Sequence, residues 1–489
     1  MLNSRPGRFT TGSTMRHVAV MTATGSIGLF FMFLIDFVTL FYVSLLGEDV
    51  LTAGVGYAWT VQFFTVSVGI GFSIAALALV SQAIGAGELE RARRRATSAM
   101  LIAVSLLTVA VLLVIAARRE ILGLIGAVGD SGGVAAEFLL IALPSLPFIG
   151  LSMISSSVLR AEGDARRAML VTVVAGLAAM VLDPLLIFGL DLGVDGAAYA
   201  MVMSRMISSG FGLWMCARKG LCARPSIADA RAFMRPFFGI AAPAVTTQLS
   251  TPFGNILLTW WISGHGDSAV AGWAVASRLT VLAFGGIFAL SGAIGGIIGQ
   301  NYGAKLGDRV ARTYRDSLIF ASGYVASVWI LLASLAPLIA RAFGVDDAGA
   351  DVILAFCYVG AGGFMFNGAL FVANAAFNNL NRPLFSTAFN WMRDGAVTPL
   401  ALLLVPVAWG APGVVYAQAS AGVLIGTLAV WAGWRLSHNM IFEGAVQTAP
   451  WSPKPMAAMT GRSAAAVMLA EETDELPGRE RLAPDRGTD

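Results

Sequence analysis

The chain has 489 residues, of which 57% are hydrophobic and 12% charged, with a formal net charge of +3 at pH 7. So few charges cannot cover the surface of a soluble protein of this size, which excludes a water-soluble globular class and leaves a polytopic membrane protein. The small net charge gives no argument for a nucleic-acid partner, and the scattered Cys216, Cys222 and Cys357 exclude a disulfide framework or a cysteine-based metal site.

Nothing before Met15 has the basic flank, short apolar core and small-residue cleavage site of a signal peptide, so the first apolar segment is expected to remain in the chain. Stretches long enough to cross a hydrocarbon core of about 30 Å as helices lie near residues 17–46, 51–84, 96–117, 133–158, 166–190 and 194–217. A second set lies near 239–264, 267–300, 314–338, 350–377, 384–408 and 411–436. The even-numbered connections hold most basic residues, among them Arg91, Arg95, Arg160, Arg167, Lys219, Arg235, Lys305, Arg309 and Arg382. Loops rich in Lys and Arg face the cytoplasm, so an even number of spans puts both termini inside a cell inner (plasma) membrane.

The expected organisation is a cytoplasmic N-terminal segment over 1–16, a six-helix bundle over 17–218 and a second over 239–437. Between them, 219–238 reads as a cytoplasmic linker whose last part, Ala228 to Phe238, is amphipathic. Beyond His438 the chain is rich in proline, small and acidic residues and is expected to be a disordered cytoplasmic tail over 438–489.

Internal repetition ties the two sets of spans together. Ser81-Gln82-Ala83-Ile84-Gly85-Ala86-Gly87 closes one apolar segment, and Gly299-Gln300-Asn301-Tyr302-Gly303-Ala304-Lys305 closes another about 218 residues later. Asp49-Val50-Leu51-Thr52-Ala53-Gly54 matches Asp267-Ser268-Ala269-Val270-Ala271-Gly272 at the same offset, and Leu182-Asp183-Pro184-Leu185 matches Val397-Thr398-Pro399-Leu400. Two copies separated by six spans run in the same direction through the membrane, and repeated bundles around a central site are the architecture of many secondary transporters.

Asp36 sits mid-span in Met32-Phe33-Leu34-Ile35-Asp36-Phe37-Val38. An Asp at a helix centre costs about 2.5–3.5 kcal/mol on insertion scales, so such residues face a cavity or a partner instead of lipid. Burial disfavours the charged form of a carboxyl, which suits a proton carrier; a fixed cap or helix–helix contact is the competing role. Asp183 precedes Pro184, and either a support for the proline bend or a part in transport is open on sequence alone.

Asp36, the paired Gln-x-x-Gly-Ala elements, Leu159-Arg160-Ala161-Glu162-Gly163-Asp164, Leu182-Asp183-Pro184, Gly239-Ile240-Ala241-Ala242-Pro243 and Ala276-Ser277-Arg278-Leu279 together carry a specific resemblance. From Met15 to about Trp434 the chain resembles a multidrug and toxic compound extrusion (MATE) family transporter, and the family's DinF-like branch more than its NorM-like branch. The resemblance implies an all-α integral membrane fold: twelve transmembrane helices in two homologous six-helix bundles forming a V-shaped central cavity. It also implies export of organic, often cationic compounds driven by protons or sodium, and it assigns Asp36 and Asp183 to ion coupling.

Departures from the family pattern bear on the ion. A first-lobe sodium site in the family uses an Asn one turn before the Asp-Pro and a Thr in the next span, where this chain has Ala179 and Met201. Neither offers a side-chain oxygen, whereas a hard cation needs several, so proton antiport is expected with sodium coupling as the alternative. In the second lobe, Thr251 and Asn367 stand where the NorM-like branch has acids, leaving Asp394 as the clearest carboxylate, beside Arg393. Adjacent residues of an α-helix point about 100° apart and are not an automatic ion pair.

Candidate substrate contacts are Gln62, Gln248, Asn255, Asn367, Asn374 and Asp394, with interhelical hydrogen bonding as the competing role for the amides, Gln418 included. Phe364, Met365, Phe366 and Phe371 would suit a promiscuous cavity, although plain packing explains the same stripe. The expected partners are a small organic molecule, protons and the bilayer, with no cofactor or metal and a monomeric state. A lipid-linked substrate flippase would share the architecture, but Arg205, Arg278 and Arg393 are few cations to meet a pyrophosphate. No nucleophile, base or metal constellation supports an enzyme.

Overall fold

A computed structural model of the chain describes residues 7–46, 49–127 and 129–440, so the expected disordered tail lies outside the described residues apart from its first three positions. Among the described residues every regular element is helical. The first repeat comprises α1 (Thr14–Ser44), α2 (Asp49–Gly85), α3 (Leu89–Ala116), the short α4 (Arg118–Leu124), α5 (Gly129–Ala142), α6 (Leu146–Glu162), α7 (Ala165–Pro184) and α8 (Gly193–Arg218). The second comprises α9 (Ile227–Ser263), α10 (Asp267–Gly303), α11 (Gly307–Phe343), α12 (Asp347–Ala355), α13 (Ala361–Asn379), α14 (Pro383–Trp391), α15 (Thr398–Leu404) and α16 (Gly413–His438). Nine helical segments among the described residues are long and apolar enough to cross a membrane. Helices α8 and α9 and the broken pair α14–α15 complete the expected twelve crossings.

The interior of a membrane bundle cannot rely on the hydrophobic effect, because lipid is as apolar as leucine, so small residues that let backbones approach do that work. Ala75, Ala76 and Ala78 of α2 and Ala421 and Ala429 of α16 are buried, while Ile330, Leu338, Leu400 and Leu403 are exposed. Helix α1 packs on α7 and α10, and α2 packs on α6, α9 and α10, so the halves meet chiefly through their first two helices.

Prolines break the spans at equivalent places in the two halves. A proline ring clashes with the carbonyl one turn before it and removes a donor, and each of these two prolines adjoins a wider turn. After Pro184 the helix continues as a π-turn over Leu185–Gly189, and before Pro399 a π-turn spans Met392–Val397. Ser226 accepts from the Asp229 amide at 3.2 Å and caps α9. The cap starts α9 at Ile227, so the amphipathic part of the expected linker is the first turns of a span.

The Asp164 carboxylate caps α7 through the Arg167 amide at 3.2 Å and pairs with Lys219 at 3.0 Å. Burial alone would raise this carboxyl, but Lys219 and Arg167 together hold it below the ordinary carboxylate range. Its stabilisation is therefore present above the unfolded-state value and lost as the pH falls through the lower folded one.

Each motif copy turns out of its helix through a left-handed residue, Gly87 at φ 77° and Lys305 at φ 58°. Glycine adopts that conformation freely, whereas an L-residue is strained by roughly 1–2 kcal/mol. Lys305→Gly is expected to stabilise the folded protein by about 0.5–1 kcal/mol after the greater freedom of unfolded glycine is subtracted. Thermal unfolding in a fixed detergent checks this; a lower Tm would contradict it.

Candidate functional site

Asp183 is only 1% exposed, and its Oδ2 accepts the hydroxyl of Thr39 on α1. Among the described residues no Lys, Arg or His pairs with it. Asp36 precedes Thr39 by three residues on α1, and its side chain lies outside the described residues. Ala179, one turn before Asp183 on α7, is buried, and Met201 on α8 is half-buried. Among the described residues no group of three or more His, Cys, Asp or Glu could hold a metal.

The other candidates of the first half are drawn into a polar contact across three segments. Arg205 of α8 donates to Gln62 Oε1 of α2 at 3.0 Å and to Ser145 Oγ at 2.7 Å. Gln62 is buried, and its Nε2 has no partner among the described residues. Interhelical bonding is thus its visible role, with one donor left over.

In the second half the structure corrects one expectation. Arg393 and Asp394, adjacent in sequence, form a bidentate ion pair with Nε to Oδ1 at 2.7 Å and Nη2 to Oδ2 at 2.8 Å. The angular argument fails because a long arginine side chain can fold back onto its neighbour: Arg315 and Asp316 pair at 3.1 Å in the regular helix α11 in the same way, while Arg393 and Asp394 lie in the π-turn. Arg393 also donates to Asn367 on α13 at 3.1 Å. A Cβ at Gly254 would lie 3.0 Å from Asp394 Cβ, so α9 packs tightly on the pair and a side chain there would press on it.

Asn374 accepts from Asn390 at 3.0 Å, again between helices. By contrast, Asn255 is exposed and Gln248 half-buried, and neither bonds another described residue. Their spacing of seven residues puts them on one face of α9. The aromatic stripe is largely packing: Phe364 stacks on Phe284 with centroids 4.1 Å apart, and Phe371 meets Phe288 edge-on at 5.4 Å.

The strongest constellation is one that the sequence marks only as a repeat. Gln300 of α10 donates to the Ala161 carbonyl at the end of α6 at 2.6 Å. Gln82 of α2 donates to the Asn379 carbonyl at the end of α13 at 2.9 Å. Each half thus satisfies an orphan helix-end carbonyl of the other. Between them the backbones touch: a Cβ at Gly85 would lie 1.9 Å from the Gln300 carbonyl oxygen, and one at Gly303 would lie 2.0 Å from that of Gln82.

A strap seals this clasp. Residues Arg8–Thr10 form a single helical turn before α1, and Phe9 is 1% exposed inside the core of the second half. The Phe9 amide donates to Gln300 Oε1 at 2.8 Å, while Arg309 donates to the carbonyls of Phe9, Gly12 and Thr11 at 2.8, 3.0 and 3.1 Å. Arg8 reaches the Gly163 carbonyl of the first half at 2.9 Å, and Thr14 donates to Asp316 at 2.5 Å. Composition gives no sign of this strap; Ser13, which caps α1, is its one local signal.

Two repeated helical halves, a buried carboxylate at membrane depth and one end clasped shut define a polytopic membrane transporter bundle. The family model MatE matches residues 26–185 and again 243–403, and the chain belongs to this family, the MATE transporters. It is 26% identical over 375 residues to the FAD transporter of Shewanella oneidensis, covering 75% of this chain and 81% of that protein. It is 24% identical over 270 residues to the multidrug export protein MepA of Staphylococcus saprophyticus, covering 54% of this chain and 59% of that one. Among solved structures, the Vibrio cholerae MATE transporter VcmN in its bent form matches at a TM-score of 0.81 with 21% identity, over 87% of this chain and 97% of that one. A MATE family transporter in an outward-facing conformation matches at 0.82 with 20% identity, over 88% and 98%.

Gln300→Ala would strand the Phe9 amide and the Ala161 carbonyl, a loss of about 1–3 kcal/mol for each group left dry. Faster thiol labelling of an introduced Asn379→Cys in the Gln300→Ala background is the expected outcome. Unchanged labelling would show that the glutamine does not hold the end closed.

Proposed function

We propose that the protein is a secondary active antiporter that exports organic, cationic or amphipathic compounds in exchange for protons by alternating access. The observation that carries the proton assignment is Asp183, buried between α1 and α7 with a hydroxyl and, among the described residues, no cation beside it. A carboxyl held that way can take up and release a proton without a shell of oxygen ligands, and Ala179 and Met201 add none for sodium. Asp36, one turn before Thr39, is assigned the same role. On this reading residues 17–218 and 239–437 are the membrane parts of the two lobes, the connection 219–238 between them ends in the first turns of α9, and the missing second-lobe acids support the DinF-like branch.

Orientation follows from charge. The clasped end carries Arg91, Arg94, Arg167, Lys219, Lys305 and Arg309, so it belongs on the cytoplasmic side of the inner membrane, with both termini. The unpartnered amides of Gln248 and Asn255 on α9, with Gln62, Asn367, Asn374 and Asp394, are assigned to the substrate path. Drug-like compounds are the cargo class suggested by the MepA relative's name, and a native metabolite that suggested by the FAD transporter's.

Export of a fluorescent organic cation in inverted vesicles, under a proton or a sodium gradient imposed separately, tests this. Proton-driven transport is expected to fall at least about tenfold in Asp36→Asn and in Asp183→Asn. Sodium-driven efflux that ignores the proton gradient would move the coupling to sodium, and transport indifferent to both gradients and both substitutions would favour a flippase.

A further inference from the structure

The arginines in the interior of the two halves are mostly spoken for. Arg205 is held by Gln62 and Ser145, and Arg393 by Asp394 and Asn367. Arg160, in the last turn of α6, differs: it makes no hydrogen bond or ion pair with any described residue, and its Nε is buried without a partner. A guanidinium stays charged in any protein setting, and removing it from bulk water with no acceptor is costly. Helix-end placement does not account for it, because the side chain does not turn back to cap the α6 carbonyls; Gln300 takes the Ala161 carbonyl instead.

The position is defined by two glycines of α10. A Cβ at Gly296 would lie 2.9 Å from the Arg160 carbonyl oxygen, and one at Gly292 would lie 3.2 Å from Nη1. Helix α10 runs toward the clasped end, so Gly292 is one turn, about 6 Å, farther from that end than Gly296. The side chain therefore leaves the seam between the halves immediately beside the clasp and points away from it, into the membrane interior, along a strip of bare backbone. The residue is only half-buried there.

We infer that Arg160 is a substrate-binding residue that receives an acidic group, a carboxylate or phosphate, of the transported compound at the floor of the path between the halves. The assignment rests on the export reading and narrows it, from organic compounds in general to amphipathic ones carrying an anionic group. Such a group would supply the bidentate acceptor that the guanidinium lacks, and the absent side chain of Gly292 leaves space beside Nη1.

The test compares a cationic rhodamine methyl ester with its free acid, which differs only in the exposed carboxylate, by binding to the purified full chain in detergent. Arg160→Gln is expected to weaken the free acid at least about tenfold and the ester little, and Arg160→Lys to recover part of the difference. Equal weakening of both dyes would assign Arg160 to folding, and no change in either would remove it from the path; both results overturn the inference. Loss of the preference on adding inorganic phosphate would identify a free anion as the occupant and overturn it as well. If the wild type binds the ester but does not favour the acid, the inference fails while the export reading stands. If it binds neither dye, both fail.

Discussion

The reciprocal exchange of glutamines between the halves is the contact on which the rest of the arrangement depends. A helix that ends inside a membrane protein leaves carbonyls that water cannot reach and lipid cannot satisfy. Here α6 and α13 end beside the partner half, and Gln300 and Gln82 supply the missing donors. The donors reach only because Gly85 and Gly303 let α2 and α10 touch backbone to backbone. One set of bonds therefore ends two helices, joins two lobes and shuts one end of the path. Alternating access requires that such a set break as a unit, and polar bonds between short side chains and carbonyls can exchange for water when the end opens, whereas an interdigitated apolar seam would not.

On the proposed proton coupling, the question is how a change at Asp183 is felt at that end. Helix α1 offers the connection, since it donates Thr39 to Asp183 at one level and carries the strap with Phe9 and Thr14 at the other. On the proposed reading, a change in the bond between Thr39 and Asp183 would shift the helix whose first residues seal the clasp. The account needs only a rigid α1 with two ends engaged, one on the first half and one on the second.

Much of the fold was legible because the repeat and the apolar runs are both physical necessities of a spanning bundle, and Asp36 and Asp183 stood out because acids at membrane depth are expensive. The places where sequence reasoning fell short share a cause. Asp394 and Arg393 pair because the arginine side chain is long enough to fold back onto its neighbour, as Arg315 does onto Asp316, and the angle between adjacent Cα–Cβ bonds does not report that reach. The first turns of α9 passed for a linker because their charges resemble a solvated segment until Ser226 is seen to cap them. The strap escaped because Phe9, alone among polar and small neighbours, has no periodicity to read, and its burial is decided by Arg309 and Gln300 some 300 residues away. Arg160 is visible in the sequence as one basic residue of a cytoplasmic connection and as part of the motif over residues 159–164; its lack of partners among the described residues is a three-dimensional fact.

The central claim is that protonation in the first half opens the clasp between the halves. The direct measurement is the distance between a spin label on Glu88, in the turn after α2, and one on Asn381, in the turn after α13, in lipid vesicles across a range of pH. The account predicts a short distance that gives way to a second, longer population as the pH changes, with that change lost in Asp183→Asn. A single distance at every pH, or a change that survives the substitution, would contradict it.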